Sequence, residues 1–312
     1  MEHRSPDTSR RHALSCMAWA GGGLLWTIAG GVPRAALIGS AQAQTAGFSF
    51  AQISDSHIGF AREPNTDTKA TLSEGVALMK AAPQQPAFVL HTGDVSHLSK
   101  PAEFDAASSI LDATGLDTHY VPGEHDVLDE AGTKPFIERF QKRHTQGADG
   151  GAFYSFDANG VHFVGLNNVV DLKAGGLGNL GAAQLAWLER DLAGRATSTP
   201  IVVFAHIPLW TVYAAWGWGT DDSAKALALL ARFGSVTVLN GHIHQVLQKV
   251  EGNVTFHSAR STAFPQPAPG TAPSPGPMKV ESGRLRSVLG VASVTLVTGQ
   301  SHLAVIDTPL GA

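Results

Sequence analysis

Along most of this chain, apolar residues fall in short blocks separated by amphipathic or turn-rich stretches. Phe48–Ser54, Phe88–Thr92 and His119–Val121 are too short for helices and read as buried strands. Thr66–Lys80 and Pro101–Thr114 lie between them with helical spacing, the second opening on a proline, a favoured first-turn residue. This is β-α-β-α-β alternation. Ala152–Asp157 and Val161–Asn167 then flank Asn159-Gly160, a type I′ hairpin signal. A helix over Gly181–Leu192, a strand over Ile201–Ala205, a helix over Asp222–Phe233 with Asp221 or Asp222 as candidate N-cap, and a strand over Val236–Asn240 follow. Beyond His244, Gln245–Val250, Val254–Ser258, Leu285–Leu289, Val291–Val297 and His302–Ile306 read as consecutive strands. A Pro/Gly/Ser-rich stretch at 264–277 interrupts them and reads as a passive surface loop, with partner binding or covering of the cleft as the alternative. The expected fold class is α/β, a four-layer αββα sandwich of two mixed sheets flanked by helices.

Composition supports a sizeable core, with 43% hydrophobic and 15% charged residues in 312. The first 43 residues read as targeting rather than fold. Ser9-Arg10-Arg11 supplies a twin arginine, His12–Val32 an apolar Gly-rich stretch, and Ala41-Gln42-Ala43 a cleavage site. The expectation is a twin-arginine signal at 1–43, handled by the bacterial twin-arginine export machinery, and a single periplasmic or secreted domain at 44–312. An uncleaved anchor is the alternative, weakened by Gly21, Gly22, Gly23, Gly30 and Gly31. Removal would leave 18 basic and 24 acidic residues, a net charge of −6. It would also remove Cys16, the only cysteine, and with it any disulfide framework. Without a basic patch, duplex nucleic acid is excluded as a partner.

The chemistry sits just after the strands. Asp55-Ser56-His57, Gly93-Asp94, Gly123-Glu124-His125-Asp126, His206 and Gly241-His242-Ile243-His244 each follow an apolar block. In α/β sheets, sites form at the carboxyl ends of strands, so these side chains can meet despite their separation. Asp55 and His57, like His242 and His244, are spaced i, i+2, which puts both on one side if the segment is extended. Carboxylate and imidazole together suit first-row ions, and their number exceeds what one ion takes.

The order and spacing of these motifs resemble the calcineurin-like metallophosphoesterase superfamily, whose signature runs D-x-H, G-D, G-N-H-D/E, a lone His, then G-H-x-H. The resemblance covers roughly residues 48–244. It implies that Asp55, His57 and His244 hold one metal, His206 and His242 a second, and Asp94 both. It further implies that His125 assists as acid or transition-state stabiliser, that Asp126 orients His125, and that a metal-bridging hydroxide attacks phosphorus. The implied cofactors are two transition-metal ions, Fe, Mn or Zn.

Glu124 departs from the pattern, which has Asn there. If it ligates, a third carboxylate lowers the formal charge with two divalent ions from about +2 to about +1, by counting charges on metals and ligands. A mixed Fe(III)/divalent pair would restore the balance. Otherwise the weaker field favours monoanionic diesters over dianionic monoesters. The expectation is a phosphodiesterase acting on a small-molecule phosphoester. A phosphomonoesterase or nucleotidase, or a non-catalytic periplasmic binding protein on the same fold, is the alternative.

Weaker signals surround this set. Trp210, Tyr213, Trp216 and Trp218 could stack on substrate, but packing on the protein itself is the favoured expectation. His91 reads as a core histidine and His97 as either a substrate contact or a solvated loop residue. His257 or Arg260 could meet a phosphate, and Arg62 is a similar candidate, but structural roles are the favoured expectation for such lone residues.

Overall fold

The computed structural model describes residues 24–29, 32–37, 47–127, 130–142, 144, 151–281, 283–296 and 303–311. The twin arginine and the Ala41-Gln42-Ala43 site lie outside them. The chain divides into two units, Met1–Ala46 and Gly47–Ala312. In the first, the backbones of β1 (Leu24–Ala29) and β2 (Val32–Leu37) pair antiparallel. Among the described residues no helix is long and apolar enough to cross a membrane.

The second unit contains two mixed sheets. The five-stranded sheet comprises β3 (Ser49–Ile53), β4 (Val89–His91), β5 (Thr118–Tyr120), β12 (Gly290–Leu296) and β13 (Leu303–Pro309), in the order β13-β12-β3-β4-β5. The six-stranded sheet comprises β6 (Tyr154–Ala158), β7 (Val161–Gly165), β8 (Ile201–Phe204), β9 (Val236–Asn240), β10 (Leu247–Glu251) and β11 (Val254–Ser258), in the order β10-β11-β9-β8-β7-β6. β3, β4 and β5 run parallel, as do β7, β8 and β9.

Three apolar layers hold the sandwich together, as the block pattern requires. Phe50, Leu90, Phe163, Val202, Phe204 and Leu239 are buried between the sheets. Helices α1 (Thr68–Ala81) and α2 (Pro101–Asp112) bury Leu72, Val76, Phe104 and Leu111 on the outer face of the five-stranded sheet. Helices α4 (Gly181–Ala193) and α5 (Ser223–Leu230) bury Leu188, Leu192, Ala226 and Leu230 on the other sheet. Central strands buried on both faces read as continuous apolar runs, which is why they stood out in the sequence.

The β6–β7 hairpin turns at Asn159 (φ 49°) and Gly160 (φ 78°), the left-handed pair a type I′ turn needs. Asp222 occupies the N-cap position of α5 but makes no capping bond there. Its carboxylate instead accepts from the backbone N–H groups of Leu180 (2.9 Å) and Gly181 (3.0 Å), tying down the start of α4.

Two expectations differ. Leu285–Leu289 is not a strand; α6 (Leu285–Val288) is a short helical turn. The Leu289 N–H donates to the Leu285 carbonyl (3.2 Å), closing a local turn just before β12 begins at Gly290. Helix α3 (Glu130–Phe136), continuing as a wider turn over Ile137–Gln141, was not legible beside Pro135.

Candidate metal centre

The motif loops leave the carboxyl ends of β3, β4, β5, β8 and β9, and the two sheets bring those ends to one edge. Gly93 and Gly241 mark where the sheets approach. A Cβ on Gly93 would lie 2.4 Å from His206 Nδ1, and its φ of +94° suits glycine. A Cβ on Gly241 would lie 1.9 Å from Ser54 Oγ and 2.5 Å from Asp55 Oδ2. Asp55, His57, Asp94, His242 and His244 all have positive φ, between 39° and 69°. The i, i+2 pairs therefore do not share a side of an extended segment, as expected from spacing. They meet because the backbone is turned into a disfavoured region, a strain characteristic of functional sites.

Two clusters result. In the first, His57 Nε2 is 3.3 Å from His244 Nε2, and His244 Nε2 is 3.3 Å from Asp55 Oδ1. In the second, Glu124 places Oε2 2.9 Å from His206 Nε2 and Oε1 2.9 Å from His242 Nδ1. Asp94 Oδ2 stands between them, 3.3 Å from His57 Nε2 and 3.4 Å from His206 Nε2. Within Asp55/His57/Asp94/His244, and within Glu124/His206/His242, the ligand atoms lie within 4.8 Å of one another.

These groups fit metal ions better than they fit each other. Asp55 Oδ2, Glu124 Oε2, His206 Nε2 and both ring nitrogens of His242 are buried without a hydrogen-bond partner. The 2.9 Å approaches of Glu124 lack hydrogen-bond alignment, so proximity does not satisfy them. Burying such groups unpaired is costly, and cations facing their lone pairs would remove that cost. The rings are pre-set for ligation: His206 Nδ1 donates to the Thr92 carbonyl (2.8 Å) and His244 Nδ1 to that of Phe264 (2.6 Å). In the neutral ring each bond leaves Nε2 as the free lone pair.

Electrostatics at the site alternate in sign. Burial opposes ionisation of Asp55, but His244 and His206 draw its pKa down to about 2. Burial likewise opposes ionisation of Glu124, and His242 and His206 outweigh it, holding the carboxyl well below its usual range. Burial disfavours a charged His206, yet Asp94 and Glu124 raise it well above the ordinary histidine value. Burial and the neighbouring His244 push His57 well below that value.

His125 stands beside the clusters, its ligand atom within 4.8 Å of those of Asp94 and Glu124. Its backbone N–H donates to Asp94 Oδ1 (3.0 Å) and its Nδ1 to the His97 carbonyl (2.8 Å). Burial opposes its charged form, while Asp94 and Glu124 raise its pKa. The expected direct contact from Asp126 does not occur. The Asp126 carboxylate accepts from the N–H groups of Val95 (3.0 Å), Ser96 (2.8 Å) and Gly123 (3.0 Å) and from the Ser96 hydroxyl (3.0 Å). It thus fixes the loop whose next residue, His97, holds His125. Burial, reinforced by Asp94, pushes the Asp126 carboxyl up to about 7.

The neighbouring residues sort themselves by contact. Trp218 is fully buried, its ring 5.1 Å from that of Trp216, itself 5.2 Å from Tyr213, so this segment packs on itself. His91 is a buried core residue bonded to Ser56 Oγ (2.8 Å), and burial lowers its pKa to about 3. His257 pairs with Asp307 (2.9 Å), and Arg260 donates to the Ser287 carbonyl (3.1 Å). Arg62 lies over the Phe60 ring. The 264–277 segment is not merely a surface loop at its start. Phe264 is buried against His57 (4.8 Å) and His244 (4.6 Å), and Gln266 donates to the His242 carbonyl (3.0 Å). Its proline-rich composition hid this role.

Comparison with known proteins agrees with this geometry. The sequence profile described as calcineurin-like phosphoesterase matches residues 48–246. A probable cyclic nucleotide phosphodiesterase of Psychrobacter sp. (strain PRwf-1) is 27% identical over 56% of this chain and 52% of its own. A glycerophosphodiester phosphodiesterase of Enterobacter lignolyticus is 26% identical over 70% of this chain and 78% of its own. The chain thus spans only about half the length of the first of these relatives. A dimetal phosphatase from Danio rerio shares the fold, with a TM-score of 0.63 at 14% identity over 85% of this chain and 97% of that one.

Proposed function

This chain belongs to the calcineurin-like phosphoesterase family, and on that premise we propose that it is a dinuclear metal-dependent phosphoester hydrolase preferring small-molecule diesters. The observation that carries the proposal is the paired cluster with Asp94 Oδ2 between its halves. Asp55, His57 and His244 would hold one ion, Glu124, His206 and His242 the other, and Asp94 both. Iron, manganese and zinc suit this donor set, and the third carboxylate makes a mixed Fe(III)/divalent pair a reasonable occupant. When bound, two such ions supply Lewis acidity and activate water near neutral pH.

The chain's own residues supply the rest. With Nδ1–H committed to the His97 carbonyl, His125 keeps its proton-bearing Nε2 free for a phosphoryl or leaving-group oxygen. Asp126 acts one step behind, by holding the loop at Val95 and Ser96. Glu124 contributes the extra negative charge that favours a monoanionic diester over a dianionic monoester. The cyclic nucleotide and glycerophosphodiester names of the relatives support that direction. The twin-arginine pattern supports a periplasmic or secreted location.

Metal analysis and rates with bis(p-nitrophenyl) phosphate and p-nitrophenyl phosphate on one preparation test the proposal. Two ions per chain and a higher kcat/KM on the diester are expected. A clear monoester preference defeats the diester choice. A metal-loaded protein inert on both esters, and insensitive to His125→Ala, favours a binding role.

A further inference from the structure

His97 lies outside both clusters, yet one contact joins it to the first and two more join it to His125. Its Nδ1 is 3.3 Å from His57 Nδ1, on the side of that ring facing away from the first cluster. Its carbonyl accepts from His125 Nδ1 at 2.8 Å. Its ring stacks on that of His125, 4.9 Å between centroids and 14° between planes. The loop that carries it is fixed, since Glu103 Oε2 accepts from the N–H groups of His97 (3.2 Å) and Leu98 (2.8 Å).

The proton positions follow from ligation. His57 directs Nε2 toward His244 and Asp94. If that nitrogen is to face a cation as a lone pair, the ring proton must sit on Nδ1. The acceptor it meets is His97 Nδ1, which in turn places the His97 proton on Nε2. A metal-bound histidine is normally oriented by such a bond from its second nitrogen. His206 and His244 use backbone carbonyls, which no substitution removes. His57 relies on a side chain.

Resting on the dinuclear reading, we propose that His97 is a positioning residue that sets the tautomer and ring orientation of His57 for the first metal, while its backbone and ring fix His125. The same residue thereby ties metal affinity at one cluster to the placement of the proton donor. At 3.3 Å the imidazole–imidazole bond is longer than the carbonyl bonds of 2.8 and 2.6 Å. Its loss should therefore weaken metal binding by about tenfold, the low end of the range for such outer contacts.

Two substitutions separate the acceptor atom from the ring. His97→Phe keeps a stacking ring and removes the acceptor, whereas His97→Asn keeps an acceptor near Nδ1 and removes the ring. Competition titration of the full chain with Zn(II) against a chelator reads the affinity of the tighter ion. His97→Phe should bind it about tenfold more weakly, and His97→Asn within about threefold of wild type. Thermal melts of the zinc-loaded proteins verify folding, and His97→Leu replaces the Phe variant should that one not fold. Wild-type affinity in the variant lacking the acceptor overturns the proposal. So does an equal loss in His97→Asn, which would make the ring the important part. A wild-type protein unable to hold two ions overturns both this inference and the dinuclear reading. A wild type that binds two ions but cleaves no phosphoester defeats only the proposed activity.

Discussion

The two clusters are built from the same residue types but differ in their access to solvent. In the first, the side chains of Asp55, His57, Asp94 and His244 are at most 2% exposed. In the second, His206 is fully buried, but His242 is 12% and Glu124 27% exposed. The first is roofed by Phe264 and backed by His97, whereas the second opens outward through the one unconventional ligand. On the proposed dinuclear reading, burial favours retention of an ion in the first cluster, and partial exposure favours ion exchange and substrate access in the second.

The harshest way to break this contrast is to remove what the halves share. Asp94→Asn should empty both clusters and lower kcat/KM by about a thousandfold, or about 4 kcal/mol of transition-state stabilisation. Metal content measured beside the rate would show it, and retention of two ions would deny Asp94 its bridging place. Dialysis against a chelator should next release the ions in two phases, the second cluster emptying first and leaving one ion per chain. Simultaneous loss of both would mean that the difference in exposure has no consequence.

A gentler test alters only the open side. Glu124→Asn should shift the ratio of diester to monoester kcat/KM toward the monoester by about tenfold, roughly 1.4 kcal/mol. An unchanged ratio would detach substrate preference from the charge of this ligand. The smallest effect is expected at the opposite edge of the six-stranded sheet, where His162 lies 2.9 Å from Asp157 and 2.7 Å from Asp191. Burial there opposes ionisation of Asp191, but bonds from His162 and Ser155 bring its pKa below the usual carboxylate value. A depressed folded pKa gives stability that is present above about pH 4, the ordinary carboxylate range, and lost as pH falls through the lower folded value. The acid-denaturation curves of wild type and Asp191→Asn should therefore converge as pH falls below the ordinary carboxylate range, while at neutral pH the substitution leaves metal content unchanged.

Much of the fold was legible because buried central strands and amphipathic helices carry distinct apolar periods. The parallel strands β3, β4, β8 and β9 and the helices α1, α2 and α4 fall close to their expected limits. Leu285–Leu289 departs from its expected strand because apolar content alone cannot distinguish a short strand from a local helical turn. The gathering of the candidate ligands was legible for a related reason. Each follows a strand, and parallel strands deliver their carboxyl ends to a common edge.

Phe264 and Gln266 were not legible as parts of the site, and His97 was legible there only as one of two alternatives, since their roles come from contacts with residues distant in sequence. Asp126 shows the same limit, its neighbour in the motif being oriented by the His97 carbonyl instead. Sequence alone determined the candidate ligand types, their order and the layered architecture, because these follow from local periodicity and from chemistry confined to single residues. Tertiary structure decided which atoms face each other, how the turned backbones aim them, and which cluster is sealed. Those outcomes depend on two sheets meeting at Gly93 and Gly241, and no local pattern encodes that approach.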